Sequence, residues 1–243
     1  MSSRMFPNVL ETWNPVTGCR FGCVYCWARR LAEGKLRAHP HYAVHGFEPA
    51  LNERALTRRF KPGALVFACD MGDLWGPWVP REWILRVLDA VRANSRTRFL
   101  FLTKNPRRYF VFLDRMPENA VLGATIETDL DEGYSAVSRA PKPSERLRAV
   151  AELDWPAKVV SVEPVLRFSE RFPSLLAETE PLLVYVGYDN YGCRLPEPRL
   201  SETLWLIETL RGLGIEVVEK TLRPAWHENR KLLVARERGE GDG

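Results

Sequence analysis

Three cysteines fall within eight residues in the run Thr17-Gly18-Cys19-Arg20-Phe21-Gly22-Cys23-Val24-Tyr25-Cys26-Trp27-Ala28-Arg29-Arg30. The spacing C-x3-C-x2-C is too close and too uneven for the disulfide framework of a secreted protein, and five cysteines is an odd number. Clustered thiols of this kind bind metal or do redox work. Gly18 and Gly22 let the backbone bend so that three thiolates turn inward around one compact centre. Two centres fit the pattern. On an iron–sulfur cubane, three thiolates leave the fourth iron open to a substrate or cosubstrate. A structural zinc ion needs a fourth ligand, which would come from Cys69, Cys193 or one of His39, His41, His45 and His227.

The elements that must position this motif alternate along the chain. Short β-rich apolar runs at 9–13, 64–68, 98–102, 120–126, 158–162, 182–187 and 215–219 predict strands, several of them apolar throughout, as parallel strands buried on both faces are. Amphipathic stretches at 27–35, 81–93, 106–115, 144–153 and 201–213 predict helices, the last stopped by Gly214. The βα alternation implies an α/β fold with a parallel sheet and helices outside, either an open doubly wound sheet or a full or partial barrel. The cysteine motif then follows the first strand and precedes the first helix, on the C-terminal face where such folds place their chemistry. No linker divides the chain, so residues 1–236 read as one domain and 237–243 as a disordered tail. The long irregular stretch 37–62 is the main insertion and a candidate lid.

Composition limits the rest. The 243 residues are 45% hydrophobic and 27% charged, which fits a globular chain. No apolar run approaches the roughly 20 residues of a membrane span, and the start lacks a secretion signal, so a cytoplasmic protein is expected. The chain holds 28 Arg, 7 Lys and no Gln, with a net charge of +4, which permits a polyanionic partner without requiring one.

The motif C-x3-C-x-aromatic-C resembles that of the radical S-adenosylmethionine (radical SAM) superfamily. The blocks NPVTGC, MGDLW, LFLTKNP, LGATIET, VVSVEPVL and EVVEKT resemble a branch with phage-associated members that is related to spore photoproduct lyase. These later blocks point to a branch without pointing to a reaction. The resemblance implies a partial (β/α)6 barrel of the TIM type, extended by a seventh strand. It also implies that Cys19, Cys23 and Cys26 ligate a [4Fe-4S] cluster and that S-adenosylmethionine chelates its open iron. One-electron reduction would then release a 5′-deoxyadenosyl radical that abstracts hydrogen from a substrate, with an electron donor such as ferredoxin or flavodoxin as partner. Tyr25 would lie near the adenine. Where the superfamily has a Gly-Gly-Glu-like segment, this chain reads Asp70-Met71-Gly72-Asp73, which makes Met71, Gly72 and Asp73 candidates for holding the cofactor. Thr125, Glu127, Ser161 and Glu163, at later strand ends, are further candidates.

Other residues carry two readings. Cys69 reads as an inert buried thiol or a hydrogen-atom donor, and Cys193, beside Tyr188 and Tyr191, as a radical quencher or a solvent-facing thiol. Lys104 and Lys220 follow strands and are either salt-bridged or substrate-binding. HPHYAVH has no acidic or thiol partner at a metal-ligand spacing. Phe47, Trp75, Trp78, Tyr191 and Trp226 are expected around the barrel mouth, where aromatic faces and arginines would suit a nucleotide or single-stranded nucleic acid. A monomer is expected. The opposing reading is a zinc-stabilised nucleic-acid or protein-binding module without turnover.

Overall fold

The computed structural model describes residues 9–228; the expected tail at 237–243 lies outside them. Seven parallel strands form one curled sheet, a half-barrel of the partial TIM type: β1 (Glu11–Trp13), β4 (Leu65–Ala68), β5 (Arg98–Thr103), β6 (Ala120–Thr125), β7 (Lys158–Val162), β8 (Leu183–Val186) and β9 (Glu216–Glu219), in that order across the sheet. All seven expected strands are present, and the seventh forms the far edge of the sheet.

The two-residue period of each strand sorts its side chains. Val66, Phe99, Phe101, Leu122, Val160, Val162, Val184 and Val186 point outward under the helices. Phe67, Leu100, Val121, Val159 and Tyr185 point inward and fill the barrel floor. Helices α3 (Arg81–Arg92), α4 (Pro143–Ala151), α5 (Phe172–Ala177) and α6 (Leu200–Gly212) cover the outside. Helix α6 shows why: Thr203, Leu206, Ile207 and Leu210 are buried at helical spacing, Glu202 accepts from the Arg199 N–H at the start, and Gly214 takes a left-handed φ of 81° just past the end. Each buried Leu or Ile there contributes roughly 1.5–3 kcal/mol.

Two expectations change. Residues 106–115 form a 3-10 helix, with Tyr109 and Phe112 buried. The stretch 37–62 is not irregular. It holds α2 (Pro40–His45), which follows α1 (Trp27–Glu33), and the short strand β3 (Ala50–Leu51), paired antiparallel with β2 (Val16–Thr17). Pro40 fits the first turn of α2, where its missing N–H costs nothing, and His39 caps it through its side chain.

Candidate functional site

Beyond β1 the chain turns through β2 into the cysteine loop, which is fixed against the end of β4. The Gly18 N–H donates to the Met71 carbonyl at 2.9 Å and the Asp73 N–H to the Gly18 carbonyl at 3.3 Å, a parallel bridge between Gly18 and Gly72. A Cβ on Gly72 would stand 2.8 Å from the Gly18 backbone, so this approach needs glycine. Three arginines donate to carbonyls of the loop: Arg29 to Cys19 at 3.2 Å, Arg139 to Arg20 at 3.0 Å and Arg30 to Val24 at 3.5 Å.

Cys19, Cys23 and Cys26 all line one cavity of about 1090 Å³ over the C-terminal ends of the strands, just above the roughly 300–1,000 Å³ of small-molecule sites. Phe67, Leu102, Thr125 and Ser161 line it from the inward face of the sheet. Above them stand charged residues. Lys104, after β5, donates to Glu127, after β6, at 2.5 Å, and Lys220, after β9, donates to Glu163, after β7, at 2.6 Å.

Glu127 is wholly buried behind this wall and also accepts from Tyr25 Oη, Tyr134 Oη (3.1 Å) and Arg146 Nη1 (2.7 Å). Burial pushes its carboxyl up, but the Arg146 guanidinium and the Lys104 ammonium outweigh burial and hold it at about 2. Asp73 accepts from the Lys104 N–H (3.0 Å), Thr103 Oγ1 (2.7 Å) and the Trp75 N–H (3.0 Å). Asp70 accepts from Asn14 Nδ2 at 2.5 Å, its one side-chain donor among the described residues, and burial raises its carboxyl to about 6.

The sequence-derived candidates therefore divide. Tyr25, Gly72, Asp73, Thr125, Ser161 and Glu163 line the cavity with the three cysteines. Met71 packs behind the loop against Ala28, Tyr42 and Phe47, and Glu127 lies beneath Tyr25 and Lys104. Tyr188 borders the cavity as a residue, but its side chain packs in the outer core beside α6, where its hydroxyl bonds Thr203 Oγ1 at 2.7 Å. Cys69 is buried in the outer core, and Cys193 sits beside the loop, its Sγ 3.2 Å from Arg30 Nη2. Trp75 corrects the expectation of a rim aromatic: it is fully buried against Phe101, Tyr109 and Phe112, because the segment after β4 tucks into the outer core under the 3-10 helix. Trp78 packs edge-on against Phe21, Trp226 Nε1 donates to the Leu195 carbonyl, and Phe47 and Tyr191 reach the cavity. Arg146 and Tyr134 escaped the sequence reading. An arginine within the apolar stripe Pro143, Leu147, Val150 is the signal that a buried carboxylate faces α4.

These residues suit an iron–sulfur centre. Burial and the Asp73 carboxylate push the Cys19 thiol well up, and burial raises Cys26, so both stay protonated until a cationic centre is beside them. The Phe21 and Arg29 N–H groups already point at the Cys19 and Cys26 sulfurs, at 3.5 and 3.3 Å, as donors to bound thiolates do. Among the described residues, no three His, Cys, Asp or Glu side chains come together as around a single metal ion. A cubane asks less of them, because each thiolate takes a different iron.

A model of the family described as "Protein of unknown function (DUF5131)" matches residues 7–172. No curated protein is similar in sequence. Three solved structures of spore photoproduct lyase are similar in fold: a cysteine-to-serine variant (TM-score 0.55, 14% identity), the lyase complexed with dinucleoside spore photoproduct (0.53, 12%), and a double variant with bound AdoMet and dinucleoside spore photoproduct (0.51, 13%). Each match covers 87% of this chain and 64% of the lyase, so the chain spans just under two thirds of its length. At these identities the likeness shows the fold, the same half-barrel of parallel strands.

Proposed function

This chain belongs to the DUF5131 family, whose description names no reaction, and we propose that it is a radical SAM enzyme acting on a nucleotide or nucleic acid. The observation that carries the proposal is the meeting of three free thiols, Cys19, Cys23 and Cys26, on one wall of the strand-end cavity. When bound, a [4Fe-4S] cluster and S-adenosylmethionine would supply a 5′-deoxyadenosyl radical for hydrogen abstraction. Cys19, Cys23 and Cys26 would hold the cluster. Asp73, Thr125, Ser161 and Glu163 offer oxygens to an ammonium or to ribose hydroxyls, and Tyr25 offers a ring face. The apolar floor of Phe67 and Leu102 keeps water from the reacting groups. The binding of a dinucleoside photoproduct by the similarly folded lyase supports the substrate class, as does Tyr191, a half-exposed aromatic on the cavity.

The test is anaerobic reconstitution with iron and sulfide, then reduced methyl viologen and S-adenosylmethionine. A brown protein with iron and sulfide in equal amounts, releasing methionine and 5′-deoxyadenosine, is expected, and Cys19→Ala, Cys23→Ala and Cys26→Ala should each abolish both. A colourless zinc protein without turnover would overturn the assignment in favour of a binding module.

A further inference from the structure

The inner side of the cysteine loop faces the cavity. Its outer side exposes Arg20, Gly22, Val24 and Arg30, and two neighbouring segments add exposed Arg139 and Arg194. Contacts join them into one patch. Arg139 Nη2 reaches the Arg20 carbonyl at 3.0 Å and would lie 3.0 Å from a Cβ on Gly22. Arg30 Nη2 reaches the Val24 carbonyl and the Sγ of Cys193, the residue preceding Arg194. Val24, 48% exposed, is the apolar centre of the patch. Among the described residues, the only carboxylate bonded to any of the four arginines is Glu48, on Arg20. None of the four lines the cavity.

We propose that this arginine collar is the docking surface for an acidic one-electron carrier protein. The inference rests on the radical SAM reading, which needs an electron from outside. Exposed Gly22 and Val24 flank Cys23 in the chain and exposed Arg20 follows Cys19, so a carrier seated here lies against the loop that carries the thiols. An apolar centre ringed by arginines suits a small transient interface, in which the charges steer encounter and the centre excludes water. Arginine suits the role better than lysine because its planar, weakly hydrated fork pairs with carboxylates in two-point contacts. The carrier loses one electron, the cluster gains it, and no proton moves. A nucleic-acid substrate would seek the cavity mouth, and these arginines lie behind it.

The probe is a reduced acidic flavodoxin, and the variant is Arg20→Glu with Arg194→Glu, neither of which touches the cavity wall. Binding to the reconstituted protein, read by flavin fluorescence, should weaken about tenfold in the variant and fall steeply with salt in the wild type. Flavodoxin-driven release of 5′-deoxyadenosine should fall in parallel, while release driven by reduced methyl viologen, which needs no dock, stays unchanged. The lysine pair at the same positions should restore most of the binding. Equal binding by the double variant, or loss of both activities together, would overturn the proposal. So would displacement of flavodoxin by single-stranded DNA that itself weakens on the same variant. Failure of the viologen reaction in the wild type would count instead against the radical SAM reading, leaving the flavodoxin measurement to decide the docking surface.

Discussion

Lys220, at the end of β9, reaches across β8 to bond Glu163, at the end of β7, at 2.6 Å. Gly187 lies beneath the crossing, where a Cβ would stand 2.9 Å from that of Lys220. Both side chains are mostly buried on the cavity wall. Burial pushes the Glu163 carboxyl up, and Lys220 pulls it back.

A double-mutant cycle with Lys220→Met and Glu163→Gln should give a coupling energy of about 1–3 kcal/mol in urea unfolding. Lys220→Met alone takes this cation from the buried Glu163 carboxylate and should cost more than the two changes together. Strict additivity would show that the pair contributes nothing.

Glu127 sets an acid limit on stability. Its folded value of about 2 lies below the ordinary 4.5, so its contribution is fully present above pH 4.5 and is lost as pH falls toward 2. The loss should be about 3 kcal/mol. Denaturant midpoints of the wild type and Glu127→Gln, measured from pH 6 to pH 2.5, should converge as the pH falls. Arg146→Met, which strips the carboxylate of its buried cation, should cost about 3–5 kcal/mol at pH 7.

Asp70 behaves in the opposite way. Its folded value, about 6, lies above the ordinary 3.8, so the charged form opposes folding above pH 6 and the penalty vanishes below pH 3.8. Asp70→Asn should therefore raise stability by about 3 kcal/mol at pH 7 and leave it unchanged at pH 3.5. A variant less stable than wild type at pH 7 would mean that the ionised carboxylate is held by a favourable partner.

Gly72→Ala should displace the cysteine loop, because the new methyl meets Gly18 backbone atoms, which cannot move away as a side-chain tip would. Iron retained after reconstitution should fall below half of wild type, while the far-UV spectrum of the sheet is preserved. Full iron content would show that the bridge between Gly18 and Gly72 is dispensable.

The sequence by itself determined the strands and the ligand triad, because both are local signals. Apolar runs such as residues 158–162 satisfy their strand wherever they pair, and three thiols spaced within eight residues stay together in any fold. Only the tertiary structure decided what surrounds them. Trp75 looks like a rim aromatic in sequence, but its segment turns under the 3-10 helix, where apolar packing holds it. Glu127 and Glu163 have the same sequence setting, each two residues beyond an inward hydroxyl, Thr125 or Ser161. One is sealed behind the wall by Arg146 from α4, and the other is left on the cavity beside Lys220 from β9. Those partners lie 19 and 57 residues away, and the curl of the sheet, set by side chains across the whole barrel, is what brings them together.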